Sequence, residues 1–127
     1  IIMYLKKIDP YVFEELVIQL FDESGFAVWR TPSYSGDGGI DGKVYHPSLG
    51  WCFIQSKRYN KSIRSEHVHT FVKLVGKRHG FFVHSGTSSN VIRQDLAGTR
   101  IRMLSGSTLV DFIREPQCIY KKLGVSN

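Results

Sequence analysis

The first strong pattern of hydrophobic positions in the chain has helical spacing. After Asp9 and Pro10, apolar residues recur every three or four positions, at Phe13, Leu16, Val17, Leu20 and Phe21. Asp9 can cap a helix with its side chain, and the ring of Pro10 already holds the φ angle of a first helical turn. The pattern predicts a helix over residues 10–24 that ends near Gly25.

Short apolar runs of strand length alternate with helical patterns along the rest of the chain. A Gly/Ser-rich loop over 32–39 and a turn over 46–50 separate the first of them. We predict strands at 26–31, 40–45, 51–59, 81–84 and 101–104. We predict helices from Ser62 or Ser65 to Gly80, from Ser88 or Ser89 to Gly98, and from Ser107 to Pro116. This order predicts one α/β domain over residues 1–127, with a mixed central sheet and helices on both faces.

Charge is distributed unevenly along the chain. The formal net charge is +6, yet residues 1–42 hold three Lys or Arg against seven Asp or Glu, whereas residues 43–127 hold fourteen against four. An acidic front can carry a cation-binding carboxylate site, and a basic remainder attracts polyanions such as nucleic acid. Solubility alone requires much less asymmetry.

The cysteines and the apolar stretches indicate a soluble, cytoplasmic protein. Cys52 lies among apolar residues, where a thiol usually acts as a small buried group, and we expect both Cys52 and Cys118 to be reduced. The apolar stretches are shorter than a membrane span, and the first residues lack the order of regions of a secretory signal. Because the chain does not begin with Met, a longer protein with a further recognition domain stays an open alternative.

A hairpin around Ser48 is predicted to bring polar side chains together. Side chains alternate along a strand, so Gln55 and Lys57 share one face. If the turn is centred on Ser48, antiparallel pairing matches residues whose numbers sum to 96, which sets Asp41 opposite Gln55. Asp is disfavoured inside a strand, and its expected partner is also polar, so we favour a functional role for Asp41 over a structural one.

These groups suit the hydrolysis of a phosphodiester bond. Directly opposed Cβ atoms lie about 5 Å apart, so a hard divalent cation can sit between Asp41 and Gln55, with the Ser56 main-chain carbonyl as a further ligand. The ion would polarise the phosphate and activate water, while Lys57 offsets the developing charge and orients or deprotonates the water. Glu14 lies at the edge of the buried face of the first helix and is a further candidate for the site.

Three segments, in order, carry a resemblance to a known family. They are Phe13-Glu14-Glu15-Leu16-Val17, Ser35-Gly36-Asp37-Gly38-Gly39-Ile40-Asp41-Gly42 and Ile54-Gln55-Ser56-Lys57-Arg58-Tyr59. Over residues 9–86 the chain resembles the Mrr-type restriction endonuclease family, within the PD-(D/E)xK nuclease superfamily. The resemblance implies a restriction-endonuclease-like αβββαβ core. The segment 82–86 matches only loosely, and His84 departs from the family pattern.

The resemblance also implies an activity and residue roles. In that family the Asp of Gly-Ile-Asp binds Mg²⁺, the Gln of Gln-x-Lys replaces a more usual acidic ligand, and the Lys assists hydrolysis. These roles would fall on Asp41, Gln55 and Lys57, and Glu14 matches the glutamate of the first helix. The implied protein is a Mg²⁺-dependent endodeoxyribonuclease of the type IV, Mrr-like kind, which acts on double-stranded DNA in defence against foreign DNA.

Basic residues beyond the Gln-x-Lys segment predict an edge that contacts DNA phosphates. Arg58, Lys61 and Arg64 follow Lys57 without an intervening acidic residue, and Tyr59 can pack against a sugar or a base. A solvated basic loop is an equal alternative for Lys61 and Arg64. Arg58 should point to the opposite face of the sheet, which favours packing or structural pairing over catalysis.

Two other functions stay open. Resolvases share this fold and are often dimeric, so a Holliday-junction or repair nuclease is one alternative. Gln55 lacks the charge of the usual carboxylate, which leaves a non-cleaving DNA-binding module as another. A homodimer is expected from mechanism alone, because cutting both strands usually needs two sites. Asp37 is interpreted as a turn former, and His67 and His69, two positions apart on a predicted helix, as surface or packing residues.

Overall fold

The computed structural model describes residues 1–30, 40–58, 64–87 and 90–125 of the chain. The predicted loop with Asp37, the side chains of Tyr59 and Lys61, and the proposed helix starts at Ser62, Ser88 and Ser89 lie outside the described residues. In chain order the elements are α1 (Ile2–Leu5), α2 (Pro10–Glu23), β1 (Ala27–Arg30), β2 (Gly42–His46), β3 (Gly50–Lys57), α3 (Ser65–Val75), β4 (His79–His84), α4 (Asn90–Leu96), β5 (Ile101–Leu104), α5 (Gly106–Arg114) and α6 (Cys118–Leu123). None of the helices described is long and apolar enough to cross a membrane.

The five strands form one mixed sheet in the order β1-β2-β3-β4-β5. The pairs β1–β2 and β2–β3 are antiparallel, whereas β3–β4 and β4–β5 are parallel. Helices α1, α2, α5 and α6 pack on one side of the sheet, which we call the α2 face, and α3 and α4 pack on the other, the α3 face. The predicted α/β class, with a mixed sheet and helices on both faces, is therefore confirmed.

Helix α2 forms where the pattern of apolar residues places it. The Asp9 side chain accepts a hydrogen bond from the Tyr11 N–H at 2.8 Å, and Pro10 occupies the first helical position. One side of the helix buries five apolar residues against the sheet: Phe13, Val17, Ile18, Leu20 and Phe21. Each such side chain contributes about 2 kcal/mol by leaving water, so this contact dominates the α2 face.

Two helix boundaries and the presence of two short helices differ from the sequence-based predictions. Helix α3 ends at Val75 and not at Gly80, because Gly76 adopts a φ of 60°, which breaks the helix. Helix α5 begins at Gly106 rather than Ser107, since Ser105 and Thr108 form a reciprocal capping box. The short helices α1 and α6 were not predicted, because each is held by only one or two buried apolar residues.

The two sets of strand side chains separate cleanly between the faces. On β3, Cys52 and Ile54 belong to the core of the α2 face, whereas Phe53 packs against the core of the α3 face. Burial raises the pKa of the Cys52 thiol to about 12, so Cys52 acts as an apolar group, and neither Cys52 nor Cys118 forms a disulfide. The alternation therefore places Gln55 and Lys57 on the same face as Phe53.

Gly80 allows α3 to lie directly on β4. A Cβ atom at Gly80 would come within 2.8 Å of Val75 Cγ2 and 3.1 Å of the Phe71 ring. Both contacting residues are fully buried. Helix and strand can approach this closely only because residue 80 has no side chain.

We therefore expect Gly80→Ala to lower the free energy of unfolding by about 1–3 kcal/mol through overpacking, as measured by urea denaturation. In a Val75→Ala background, which removes the closest methyl group, the same substitution should cost measurably less. Equal costs in the two backgrounds would show that the contact between residues 75 and 80 does not limit the packing.

Candidate active site

The hairpin of β2 and β3 sets the register of the site. The paired residues run from Gly42 with Ile54 to His46 with Gly50, so the predicted register, in which the paired residue numbers sum to 96, is confirmed. A turn closes the hairpin, with the Leu49 N–H donating to the His46 carbonyl at 3.0 Å. Burial of the hairpin side chains on the α2 face favours this register, because a slip by one residue would turn every one of them to the opposite face.

Asp41 lies one residue before β2, so the prediction that it falls inside a strand is wrong. Its N–H donates to the Ile54 carbonyl at 2.8 Å, and its carboxylate oxygen Oδ2 accepts a hydrogen bond from the Ser56 N–H at 2.5 Å. The Asp41 carboxylate thus accepts the Ser56 N–H in place of a main-chain carbonyl, and the regular pairing of β2 with β3 ends at Gly42. Because Asp41 contacts β3 at Ile54 and at Ser56, it is held beside Gln55.

Gln55 is a polar residue whose side-chain oxygen is buried without a described hydrogen-bond partner. Only 3% of its surface is exposed, and in the part of the chain that the structure describes its side-chain oxygen Oε1 has no hydrogen-bond partner. A buried amide oxygen without a partner costs roughly 1–3 kcal/mol. The Ser56 hydroxyl is likewise buried, and no described group bonds to it.

Glu14 extends from α2 to the Asp41 carboxylate. The two side chains are within hydrogen-bonding reach, and Lys57 is close enough for its charge to act on Glu14. Burial raises the pKa of Glu14 above its ordinary value, although the Asp41 contact and the charge of Lys57 both lower it. Two adjoining carboxylates are stable together when a proton or a cation lies between them.

Lys57 is the last residue of β3, and its charge acts on titratable side chains from helices on both faces of the sheet. On one side it acts on Glu14 of α2, and on the other on His67 of α3, whose pKa is lowered by burial and then by the charge of Lys57. The Lys57 carbonyl accepts a hydrogen bond from the Ser85 N–H at 3.3 Å, which joins the end of β3 to the end of β4. His67 is a neighbour of the site that sequence reasoning missed, since no local pattern links the first turn of α3 to β3.

His84 is paired with Lys57 in the parallel register of β3 and β4. Its side chain is fully buried, and its ring lies 5.9 Å from the ring of Phe82. Burial, followed by the charge of Arg93, lowers the pKa of His84 to about 4. A neutral imidazole therefore lies beside the ammonium-bearing strand position at neutral pH.

The assembled oxygen atoms fit a hard divalent cation. The carboxylates of Asp41 and Glu14 adjoin, and the buried Gln55 oxygen, which has no partner within the described ranges, could bind a cation. No group of three His, Cys, Asp or Glu side chains gathers among the residues described, so a cation here would also need amide, main-chain or water oxygens. Mg²⁺ accepts such a set, since it usually keeps several water ligands.

Of the predicted DNA-contacting residues, the structure describes Arg58 and Arg64, and their contacts differ. Arg58 donates from Nη1 to the Lys6 carbonyl at 2.7 Å, which ties the end of β3 to the segment after α1. Arg64 is exposed and forms an ion pair with Glu66 at 3.3 Å. A pair exposed to this extent is worth little free energy, so the Arg64 guanidinium can exchange to a phosphate.

Comparisons with known proteins agree with this architecture. The family model Mrr_cat, described as restriction endonuclease, matches residues 5–113. Among solved structures, the chain is similar to the MspJI restriction endonuclease in complex with a 27-mer oligonucleotide, with 24% sequence identity and a TM-score of 0.68. The match covers 95% of this chain and 32% of that one, so this chain spans about a third of that structure's length and shares its fold. No curated protein matches the chain.

The burial of His84 predicts how the free energy of unfolding depends on pH in acid. Its pKa is about 4 in the folded chain against an ordinary value of 6.5, so the unfolded chain binds more protons between these two pH values. The free energy of unfolding therefore keeps its full His84 contribution above pH 6.5 and loses it as the pH falls towards 4.

We expect the unfolding free energy of the wild type, from urea denaturation, to fall more steeply over this range than that of His84→Leu, by roughly 3 kcal/mol in total. Parallel pH dependences of the two proteins would show that His84 does not titrate as its burial implies.

Proposed function

The chain belongs to the Mrr_cat restriction endonuclease family, and on this basis we propose that residues 1–127 form a nuclease domain that hydrolyses phosphodiester bonds in double-stranded DNA. The observation that carries the proposal is the contact of the Glu14 and Asp41 carboxylates near Lys57, beside the strand whose Gln55 has a buried oxygen with no partner among the described residues. The family favours a role in restriction of foreign DNA, of the type IV kind, and we propose the cytoplasm as its location.

We assign the binding of Mg²⁺, with Mn²⁺ as a substitute, to Asp41, the Gln55 amide oxygen and the Ser56 carbonyl. The hydrogen bond from the Ser56 N–H to Asp41 supports this set, because it holds the carboxylate against the same stretch of β3. When bound, the cation would supply polarisation of the scissile phosphate and a lower pKa for a water molecule. Glu14 would hold a second cation or the waters of the first. Gln55 makes the site a variant of the PD-(D/E)xK pattern.

We assign to Lys57 the orientation of the attacking water and the neutralisation of charge that develops on the phosphate. During hydrolysis a water oxygen forms a bond to phosphorus, the bond to the leaving oxygen breaks, and negative charge grows on the phosphate oxygens. The position of Lys57 near Glu14 and His67 supports a role for its ammonium group in offsetting this charge and orienting the water. The hydrogen bond from Ser85 to the Lys57 carbonyl restricts the backbone from which the ammonium extends.

The basic segment after β3 is our candidate for contacts with a DNA backbone. We propose phosphate contacts for Lys61, Arg64 and Tyr59, whereas the hydrogen bond of Arg58 to the Lys6 carbonyl supports a structural role for Arg58. Cutting both strands of a duplex requires two sites, which supports a homodimer on mechanistic grounds.

Cleavage of supercoiled plasmid in Mg²⁺ tests the assignment. We expect Asp41→Asn and Lys57→Ala each to lower the nicking rate on the order of 100-fold or more, because each removes a charge that acts in the transition state. The Asn variant keeps a side-chain oxygen that can accept from the Ser56 N–H, so the hairpin should stay intact. Wild-type cleavage that both substitutions leave unchanged would refute the site.

Helix α2 offers a matched pair of carboxylates as a further control. Glu14 faces Asp41, whereas the adjacent Glu15 forms an exposed ion pair with Arg30 at 2.8 Å. Glu14→Gln should therefore reduce the nicking rate, and Glu15→Gln should leave it unchanged. Absence of any cleavage by the wild type, together with tight binding to duplex DNA, would favour a non-cleaving module.

Stabilisation by Mg²⁺ tests the cation ligands without measuring activity. A ligand that binds only the folded chain raises its unfolding free energy, by about 2.7 kcal/mol at a hundred times its dissociation constant. We expect Mg²⁺ to raise the melting temperature of the wild type, and Asp41→Asn and Gln55→Met to abolish most of that rise.

Gln19→Met is the matched control for Gln55→Met, because Gln19 is exposed on α2 and bonds only to Glu23 among the described residues. This variant should keep the full response to Mg²⁺. An undiminished rise in the Gln55→Met variant would remove Gln55 from the set of ligands.

A further inference from the structure

Part of the α3 face is exposed and strongly aromatic. Cross-strand pairing aligns Trp29, Lys43 and Phe53 in one row, and Ala27, Tyr45 and Trp51 in the next, so all six side chains lie on this face. Trp29 is 60% exposed, Trp51 40% and Tyr45 39%. The aromatic-basic surface, as we name it, consists of Trp29, Lys43, Tyr45, Trp51, Phe53 and Arg78.

The members of this surface form a connected array. The Trp51 ring lies 6.3 Å from the Trp29 ring and 5.4 Å from the Tyr45 ring, both in edge-to-face orientation. The Lys43 ammonium lies 5.0 Å from the Trp51 ring centroid, and the Arg78 guanidinium lies 5.3 Å from that of Phe53. Neither cation forms an ion pair with an acidic residue in the described ranges. Both positive charges are thus held against rings, near solvent.

This surface continues into the candidate active site. Gln55 follows Phe53 by two positions on β3 and shares its face, so the row with Trp29 and Lys43 lies about 7 Å from Gln55 along the strand. The row with Tyr45 and Trp51 lies a further 7 Å away, roughly. A chain of nucleotides with its scissile phosphate at Asp41 and Gln55 can therefore extend directly over the rings.

The chemistry of the surface points to unpaired nucleotides. Rings that accept stacked bases, combined with cations that follow a phosphate backbone, are the means by which proteins bind single strands. Bases inside a duplex stack on each other and expose no ring face to Trp29 or Trp51. A second copy of this chain in a two-fold contact would bring the same patch against itself and set Lys43 and Arg78 against like charges.

We propose that the aromatic-basic surface binds unpaired nucleotides of a DNA strand that enters the active site. This inference rests on the proposed nuclease function and specifies its substrate: the strand next to the scissile phosphate is separated from its complement and stacks on Trp29 and Trp51. Tyr45 supports the Trp51 ring from its edge, and Lys43 and Arg78 contact the phosphates.

Intrinsic tryptophan fluorescence can report on this surface alone, because Trp29 and Trp51 are the two tryptophans of the chain. The domain is titrated with oligothymidylate, and separately with a blunt duplex of equal length, in EDTA so that no strand is cut. We expect saturable quenching by oligothymidylate with an affinity that falls as salt rises. The duplex should produce little quenching.

Variants then test whether the rings carry the binding, measured by anisotropy of labelled oligothymidylate. Trp29→Ala and Trp51→Ala should each weaken binding about tenfold, in line with the loss of one stacked base. Trp51→Phe should retain most of the affinity because it keeps a ring. Tyr4→Ala is the matched control, since Tyr4 is 69% exposed on α1, and it should change nothing.

Three results from the variants would overturn the proposal. The first is unchanged oligothymidylate affinity in both alanine variants. The second is equal weakening of duplex binding, which would show a general DNA contact. The third is a dimer in sedimentation experiments that Trp51→Ala dissociates, which would make the surface a contact between two copies.

The test also separates this proposal from the nuclease assignment, because binding is measured without divalent ions. A domain that nicks plasmid but shows no tryptophan response to oligothymidylate refutes only the surface. A domain that binds oligothymidylate through its tryptophans but never cleaves refutes the nuclease assignment and leaves a binding site for single strands.

Discussion

The pairing of β2 with β3, and its termination by Asp41, is the constraint on which the site depends. Regular pairing ends at Gly42 with Ile54, and the Asp41 carboxylate then bonds to the Ser56 N–H. One carboxylate oxygen is thereby committed to the strand, while the side chain still reaches Glu14. Carboxylate, amide and ammonium groups keep their relative positions because a paired hairpin carries them, and rigid support of this kind is what a catalytic site requires.

Several features of the site reduce the stability of the folded chain. Gln55 holds a buried oxygen without a described partner, Glu14 and Asp41 bring two carboxylates together, and a fully buried His84 lies beside the end of β3. Each feature lowers the stability of the folded chain, while the large aromatic cores on both faces offset the loss. Destabilising features of this kind are typical of functional sites.

The uneven cover of the sheet gives the two ends of the hairpin different environments. The α2 face carries Val44, Cys52 and Ile54 in a closed core. On the other face, α3 and α4 pack mainly over β4 and β5, and the first strands keep exposed rings and cations. One hairpin therefore supplies a buried polar site at one end and an open binding surface beside it, because opposite faces and successive rows of a strand point to different surroundings.

Much of this protein follows from the sequence by itself. The helical spacing after Pro10, the register of the hairpin around Ser48 and the shared face of Gln55 and Lys57 depend on local geometry, namely 3.6-residue and two-residue periods and a short turn. Tertiary structure alone decided the other features. The short helices at both ends of the chain, the contact of Glu14 with Asp41 and the position of His67 near Lys57 depend on which distant segments pack together. Packing of segments far apart in the chain has no periodic pattern, so it is visible only once the chain has folded.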